Sequence, residues 1–331
     1  MGTVSPEQIL KELTHLWVSL GKPGDTDTAE TAAGVLRACT MTLIVAADES
    51  EDVAAIGETI AALMPEHPAR SIMIRLRNAG DASISERVYA QCWLPFGQRR
   101  QICCEQIEIT AGDAALVDLA PVVLPIAAPD LPVILWVRSS RLRDLPEFAA
   151  IESMATKIIV NSETFHQPAT GLRSLAAAAA RGTLVGDLAW ARLTRWREML
   201  SQFFDNHDHL AKLDSITRIH AECPPSAETS ACYLSAWVAM SMSNAAAFPK
   251  TAQLQITTGE NLALTLSGPQ FQLRLSRQGD QLTLTSQDQI TCVNLPAAGD
   301  YQPLREELAL IRHDPVFERT LQAAALLTPD S

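Results

Sequence analysis

Residues 40–77, TMTLIVAADESEDVAAIGETIAALMPEHPARSIMIRLR, decide the architecture of the first half of the chain. Thr40 to Ala47 reads as a buried strand, Glu51 to Met64 as a helix that stops near Pro65, and Ser71 to Arg77 as a further strand. Strand, helix and strand in that order make a βαβ unit, which crosses over right-handed because a twisted strand feeding a right-handed helix packs back onto its sheet only that way.

Working outward, Ile9, Leu10, Leu13 and Trp17 recur at helical spacing behind Ser5 and Pro6, so Ser5 to Val18 is expected to be a helix, followed by the loop GKPGDTDTAET. Ile84 to Leu94 and Gln101 to Thr110 are placed to pair as a hairpin across PFGQRR. Helical and strand patterns alternate on through 114–126, 133–137, 157–161 and 164–180. That succession predicts an α/β domain with a mixed sheet over residues 1–185.

Beyond Gly186 the pattern changes. GDLAWARLTRWREMLSQFFD predicts one long amphipathic helix over 187–204, leading into a second domain over 186–331. Ile216 to Ala221 reads as a strand and Ser226 to Met242 as a helix. The segments QLQITT, LALTLS, FQLRLS and QLTLTS alternate apolar and polar residues, with turns at SGPQ and RQGDQ. These predict an antiparallel β-meander covered by closing helices at 303–311 and 315–327, an α+β domain.

The 331 residues carry 47% hydrophobic side chains and a net charge of −12. An acidic chain opposes the phosphate neutralisation that nucleic acid and anionic membrane require, so neither is expected as a partner. The most apolar window, 116–137, is broken by Pro121, Pro125, Pro129 and Pro132 and predicts no membrane span. The amphipathic start is not that of a secretory leader, so cytoplasmic residence is expected.

After the first strand comes DESED in place of a glycine-rich phosphate loop, which argues against a dinucleotide site and predicts no cofactor. Asn206-His207-Asp208-His209 reads as a polar helix exit before it reads as a metal site, and no hydrolase or protease motif appears. No catalytic residue is assigned. The seven cysteines (39, 92, 103, 104, 223, 232 and 292) lack CxxC spacing and read as thiols of a reducing compartment. Cys103 and Cys104 face opposite sides of a strand, one expected buried and one half-exposed; a redox role would pair either with a distant thiol such as Cys92.

In the long helix, Ala189, Leu193, Trp196, Leu200 and Phe203 form a core-facing stripe. Trp190 falls off it, in line with Thr194 and Arg197. A Trp beside an Arg on a polar flank fits a partner anchor; packing inside the chain is the equal alternative.

PARSIMI, CCEQIEITAG, VVLPIAAPDLPVILWV, GDLAWARLTRWREML and REELALIRHDPVFERTL, in this order within the stretch from about residue 35 to the C-terminus, resemble the OpcA family of glucose-6-phosphate dehydrogenase assembly proteins. The resemblance implies a non-catalytic partner that binds glucose-6-phosphate dehydrogenase, promotes its active oligomer and thereby feeds NADPH production in the pentose phosphate pathway. It also implies thioredoxin as a further partner, without placing the family's redox cysteines on this chain; the candidate redox thiols Cys92, Cys103 and Cys104 come from the strand reading above. By matching position it places the partner surface on Arg70, Cys104, Glu105, Asp187, Trp190, Arg192, Thr194 and Arg197. Structural alternatives stand beside these: Asp187 as a helix cap, Arg70 paired with Glu66. The competing readings are an α/β sugar-phosphate or nucleotide-binding enzyme or sensor, marked by a basic pocket at the strand ends, and a thiol switch, marked by an exposed cysteine of low pKa.

Overall fold

Met41 to Ala47 are all buried, without the alternation of a half-exposed strand, so this strand is covered on both faces. The structure, a computed structural model, describes residues 5–20, 36–93, 102–143, 145–244, 252–287, 289–297 and 299–327. The expected loop at 21–31 and hairpin turn at 95–100 lie outside them. By internal contacts the chain divides into Met1–Val160 and Asn161–Ser331; the expected boundary at 185/186 differs from this by one helix and one strand.

The first unit contains α1 (Pro6–Leu20), β1 (Leu36–Arg37), β2 (Met41–Asp48), α2 (Val53–Leu63), β3 (Ala69–Arg77), β4 (Ile84–Trp93), β5 (Ile102–Gly112), α3 (Leu116–Ile126), β6 (Val133–Val137), α4 (Ser140–Arg143), α5 (Ala149–Glu152) and β7 (Lys157–Val160). Its strands run in the order β1-β5-β3-β2-β6-β7, with β4 antiparallel on β5 and the remaining pairs parallel, so the expected mixed α/β sheet is present. β2 and β3 pair in parallel from Met41↔Ala69 to Asp48↔Leu76, as the βαβ reading requires. α3 stays helical through Pro121 and Pro125 because both prolines lie on its exposed side. There the carbonyls that lose a helical donor reach water.

The second unit contains α6 (Pro168–Ala180), β8 (Leu184–Asp187), α7 (Leu188–Arg192), α8 (Thr194–Phe204), α9 (His207–Leu210), β9 (Arg218–Cys223), α10 (Glu228–Asn244), β10 (Gln253–Thr258), β11 (Ala263–Gly268), β12 (Phe271–Gln278), β13 (Gln281–Ser286), β14 (Ile290–Asn294), α11 (Tyr301–Ala309) and α12 (Pro315–Leu327). Its sheet order is β10-β9-β11-β12-β13-β14. From β11 to β14 the strands form the expected antiparallel meander, and Leu264, Leu266, Leu273, Leu275, Leu282 and Leu284 are its buried face.

Three details depart from expectation. QLQITT is β10 and runs parallel to β9 at the far edge, because α10 connects the two and a helical crossover returns the chain in the same direction. β14, an exposed edge strand, has no counterpart in the expected pattern. The expected helix over 187–204 is broken at Leu193, whose N–H turns back to the Trp190 carbonyl at 3.0 Å. The Arg197 guanidinium donates to that same carbonyl at 2.7 Å, taking up the acceptor that a continuous helix would have used.

Candidate functional site

At the carboxyl ends of β2 and β6 the chain leaves the sheet in opposite directions, the switch point at which open α/β sheets bind nucleotides. Here that crevice is lined by the protein's own ion pairs. Arg138, just past β6, donates to Glu51 at 2.7 Å. Arg141 reaches Asp48 at the end of β2 at 2.7 Å and grips both carboxylate oxygens of Asp113 at 2.9 and 2.8 Å. The first N–H groups of α2 are capped by Asp52, from Ala54 and Ala55. A pyrophosphate would have to displace carboxylates from each of these donors. DESED, which reads in sequence only as a missing glycine loop, is part of this internal closure.

The residues expected to form one partner surface fall into both units. In the first, Glu105 on β5 is 3% exposed and receives the Arg70 Nε, the Trp17 indole N–H from α1, and Arg37 of β1 at 2.6 Å. Arg70, itself buried, also donates to the Ile126 carbonyl at 2.6 Å. Its ion pair is with Glu105, thirty-five positions away, in place of the local Glu66. Cys104 is wholly buried. These groups are fully engaged and offer a partner little surface; the half-exposed Arg37 is the accessible member.

Cys103 is also wholly buried, which corrects the expectation of one half-exposed thiol: both faces of β5 are covered at this level. Cys92 and Cys103 lie opposite one another on β4 and β5 and are joined as a disulfide, so the reading of all seven cysteines as thiols does not hold for this pair. Cys104 stays outside it. Burial pushes the Cys104 thiol up to about 11 and that of Cys232 to about 12, the opposite of what a reactive switch thiol requires.

In the second unit the short α7 turns Trp190 inward. Its ring lies 6.0 Å from Tyr233 of α10 and 5.7 Å from Phe317 of α12, and the Arg197 guanidinium stacks over it at 3.5 Å. Trp190 is 5% exposed, so the expected polar-flank anchor is a core residue of its own unit. Leu188, Ala189 and Ala191 are buried as well, so α7 is covered on every side and Trp190 is interior whatever line of the helix it occupies. Burial lowers the Arg197 guanidinium to about 10. Arg197 also donates to the Thr194 hydroxyl at 3.1 Å, which in turn donates to Glu306 at 2.8 Å. Arg192 is held by Asn161, Glu163 and Asp300 at 2.8–3.0 Å. None of the three acceptors of Arg192 is near it in sequence, and no local signal marks them.

Asp187 is fully buried and caps α7 through the Ala189 N–H, with further donors from the Ser162 N–H at 3.0 Å and the Tyr233 hydroxyl at 2.7 Å. Desolvation outweighs these donors and raises its pKa above the usual carboxylate value. A raised folded-state pKa means that ionised Asp187 costs stability at neutral pH, a cost that disappears as pH falls through the raised value. Asp187→Asn keeps an acceptor for the cap and removes the charge. Thermal melts should therefore favour the variant over wild type by more at pH 8 than at roughly pH 4, the ordinary carboxylate value; a difference independent of pH would contradict this.

His209 stacks on Phe203 at 3.9 Å with its Nδ1 3.0 Å from the Phe203 carbonyl, the arrangement of a helix exit. Among the described residues no group of His, Cys, Asp and Glu is placed to hold a metal ion, and no helix is long and apolar enough to cross a membrane.

Residues 60–177 match the family described as the glucose-6-phosphate dehydrogenase subunit N-terminal domain, and residues 183–321 match the corresponding C-terminal domain. A protein of Synechocystis named "Putative OxPP cycle protein OpcA" is 28% identical over 187 residues, 56% of this chain and 38% of that protein. One of the same name from Nostoc punctiforme is 25% identical over 176 residues, 52% of this chain and 37% of that protein. The match thus spans little more than a third of the length of these relatives. Among solved structures, the 3-ketoreductase KijD10 from Actinomadura kijaniata covers 86% of this chain and 95% of its own, at 12% identity and a TM-score of 0.46. Biliverdin reductase from Synechocystis covers 86% and 97%, at 10% identity and a TM-score of 0.44. Likenesses at that level carry no functional argument. Thioredoxin has no support among these relatives.

Proposed function

Because the chain belongs to the OpcA family of glucose-6-phosphate dehydrogenase subunits, we propose that it is an accessory protein without a reaction centre of its own, which binds glucose-6-phosphate dehydrogenase in the cytoplasm and favours its active oligomer. The observation that carries this reading is that the matched family domains occupy residues 60–177 and 183–321, most of both units. The switch point adds support from the chemistry of the chain: its arginines are committed to Asp48, Glu51 and Asp113, so the place where a dehydrogenase of this topology would seat its coenzyme holds the protein's own carboxylates.

An activator of this kind needs only to bind one state of its enzyme better than another. A tenfold shift in the population of the active state takes about 1.4 kcal/mol of differential affinity. No step of the reaction falls to this chain; glucose 6-phosphate and NADP would be handled by the partner.

The test is to titrate the purified chain into glucose-6-phosphate dehydrogenase. The rate at subsaturating substrate and the sedimentation of the mixture should both change. Unaltered rate, apparent substrate affinity and sedimentation would end this reading, as would turnover by the isolated chain.

A further inference from the structure

In the second unit, the α7–α8 elbow, the end of β12, the segment leaving β14 and the first turns of α11 surround a concavity of about 800 Å³. Four arginines line it, Arg192, Arg195, Arg277 and Arg305, against two glutamates, Glu198 and Glu306. Two of the four are already matched within the unit, Arg192 by Glu163 and Asp300 and Arg195 by Glu198, in a chain whose net charge is −12. Arg192 is locked by Asn161, Glu163 and Asp300 and serves as scaffold. Arg195 is different: its side chain is 67% exposed, and its pairing is with Glu198 on the same helix at 2.8 Å. Such a solvent-exposed pair contributes little and is readily exchanged for a better carboxylate. Arg277 spends its Nε on the Gly279 carbonyl at 3.0 Å. Pro296 and Pro303 give the bowl an apolar wall.

We propose that this concavity is the seat for an acidic segment of the partner dehydrogenase; the inference rests on the function proposed above and names the surface through which it acts. Charge complementarity selects the occupant. The guanidinium groups come from separate elements and are interspersed with Glu198 and Glu306, so the bowl presents both signs to whatever enters it. A compact anion such as a single phosphate would meet those carboxylates at once. A polypeptide carries carboxylates spaced along its length and backbone N–H groups between them, which satisfy both kinds of lining group together. On this reading Thr194 and Arg192 are part of the docking surface, while Trp190 and Asp187 are not. The former line the opening, and the latter are buried in the core.

The double variant R195E/R277E tests this, with R87E/R218E, which makes the same change in net charge at exposed positions elsewhere, as the control. Binding of each to glucose-6-phosphate dehydrogenase is measured across a range of salt concentrations, with melting temperatures to verify folding. The expected result is association weakened about tenfold or more for R195E/R277E, mainly in its on-rate and with a flattened salt dependence, while the control binds within about twofold of wild type. The neutral pair R195Q/R277Q should shift in the same direction by less. If wild type binds and R195E/R277E behaves like the control, the concavity is not the docking surface, though the proposed function survives. If wild type does not bind the dehydrogenase at all, both fall together.

Discussion

Trp190→Ala should destabilise the second unit by about 3–5 kcal/mol, the usual loss for truncating a large aromatic side chain in a packed core. Trp190 is 5% exposed and sits among Tyr233, Phe317 and Arg197, three groups from separate elements that lose a common partner when the indole is removed. The cavity would be lined by rings and a largely buried guanidinium, none of which collapses easily into the space. Trp196→Ala, from the core-facing stripe and 2% exposed, should cost a similar amount. Trp190→Phe retains an aromatic face for Arg197 and should cost distinctly less. Chemical denaturation of the three variants decides the matter. If Trp190→Ala melts within about 1 kcal/mol of wild type while Trp196→Ala does not, the indole is a surface anchor after all.

The second large effect belongs to Glu105→Ala in the first unit. Removing that carboxylate leaves Arg70 buried with a single carbonyl acceptor, that of Ile126, and strands the Trp17 indole N–H. Breaking a buried pair in this way costs about 3–5 kcal/mol, because the remaining charge keeps its desolvation penalty and loses its compensation. The contrast lies in Arg37→Ala, on the same carboxylate. Its side chain is 50% exposed, so its loss should cost about 0–1 kcal/mol, the range of exposed pairs. Urea unfolding of the two variants gives the comparison; equal costs would show that Glu105 is solvated in solution and that its network is not the anchor of α1.

Both predictions turn on residues that the resemblance places at a partner surface, and the structure makes them interior. The local pattern could not settle this. On an unbroken helix Trp190 belongs to a polar line with Thr194 and Arg197, but α7 is buried on every side and Arg197 folds back onto the Trp190 carbonyl, which no spacing of residues announces. In the same way Arg70 has Glu66 within reach along the chain, yet the sheet puts Glu105 on the neighbouring strand β5. Cys92 could be matched in sequence with either Cys103 or Cys104, and the β4–β5 register selects Cys103.

What the sequence by itself determined is what short-range periodicity encodes: the βαβ start, the β4–β5 hairpin, the leucine face of the meander, the buried stripe from Ala189 to Phe203, and the absence of a glycine phosphate loop. Apolar spacing and turn chemistry act over a few residues, and one chain displays them directly. The tertiary structure alone decided the partner of each buried charge, the parallel return of β10, the inward turn of Trp190 and the gathering of Arg192, Arg195, Arg277 and Arg305 around one concavity. Those outcomes depend on groups dozens of positions apart competing for the same donor, acceptor or space, and that competition exists only once the sheets and helices have been assembled.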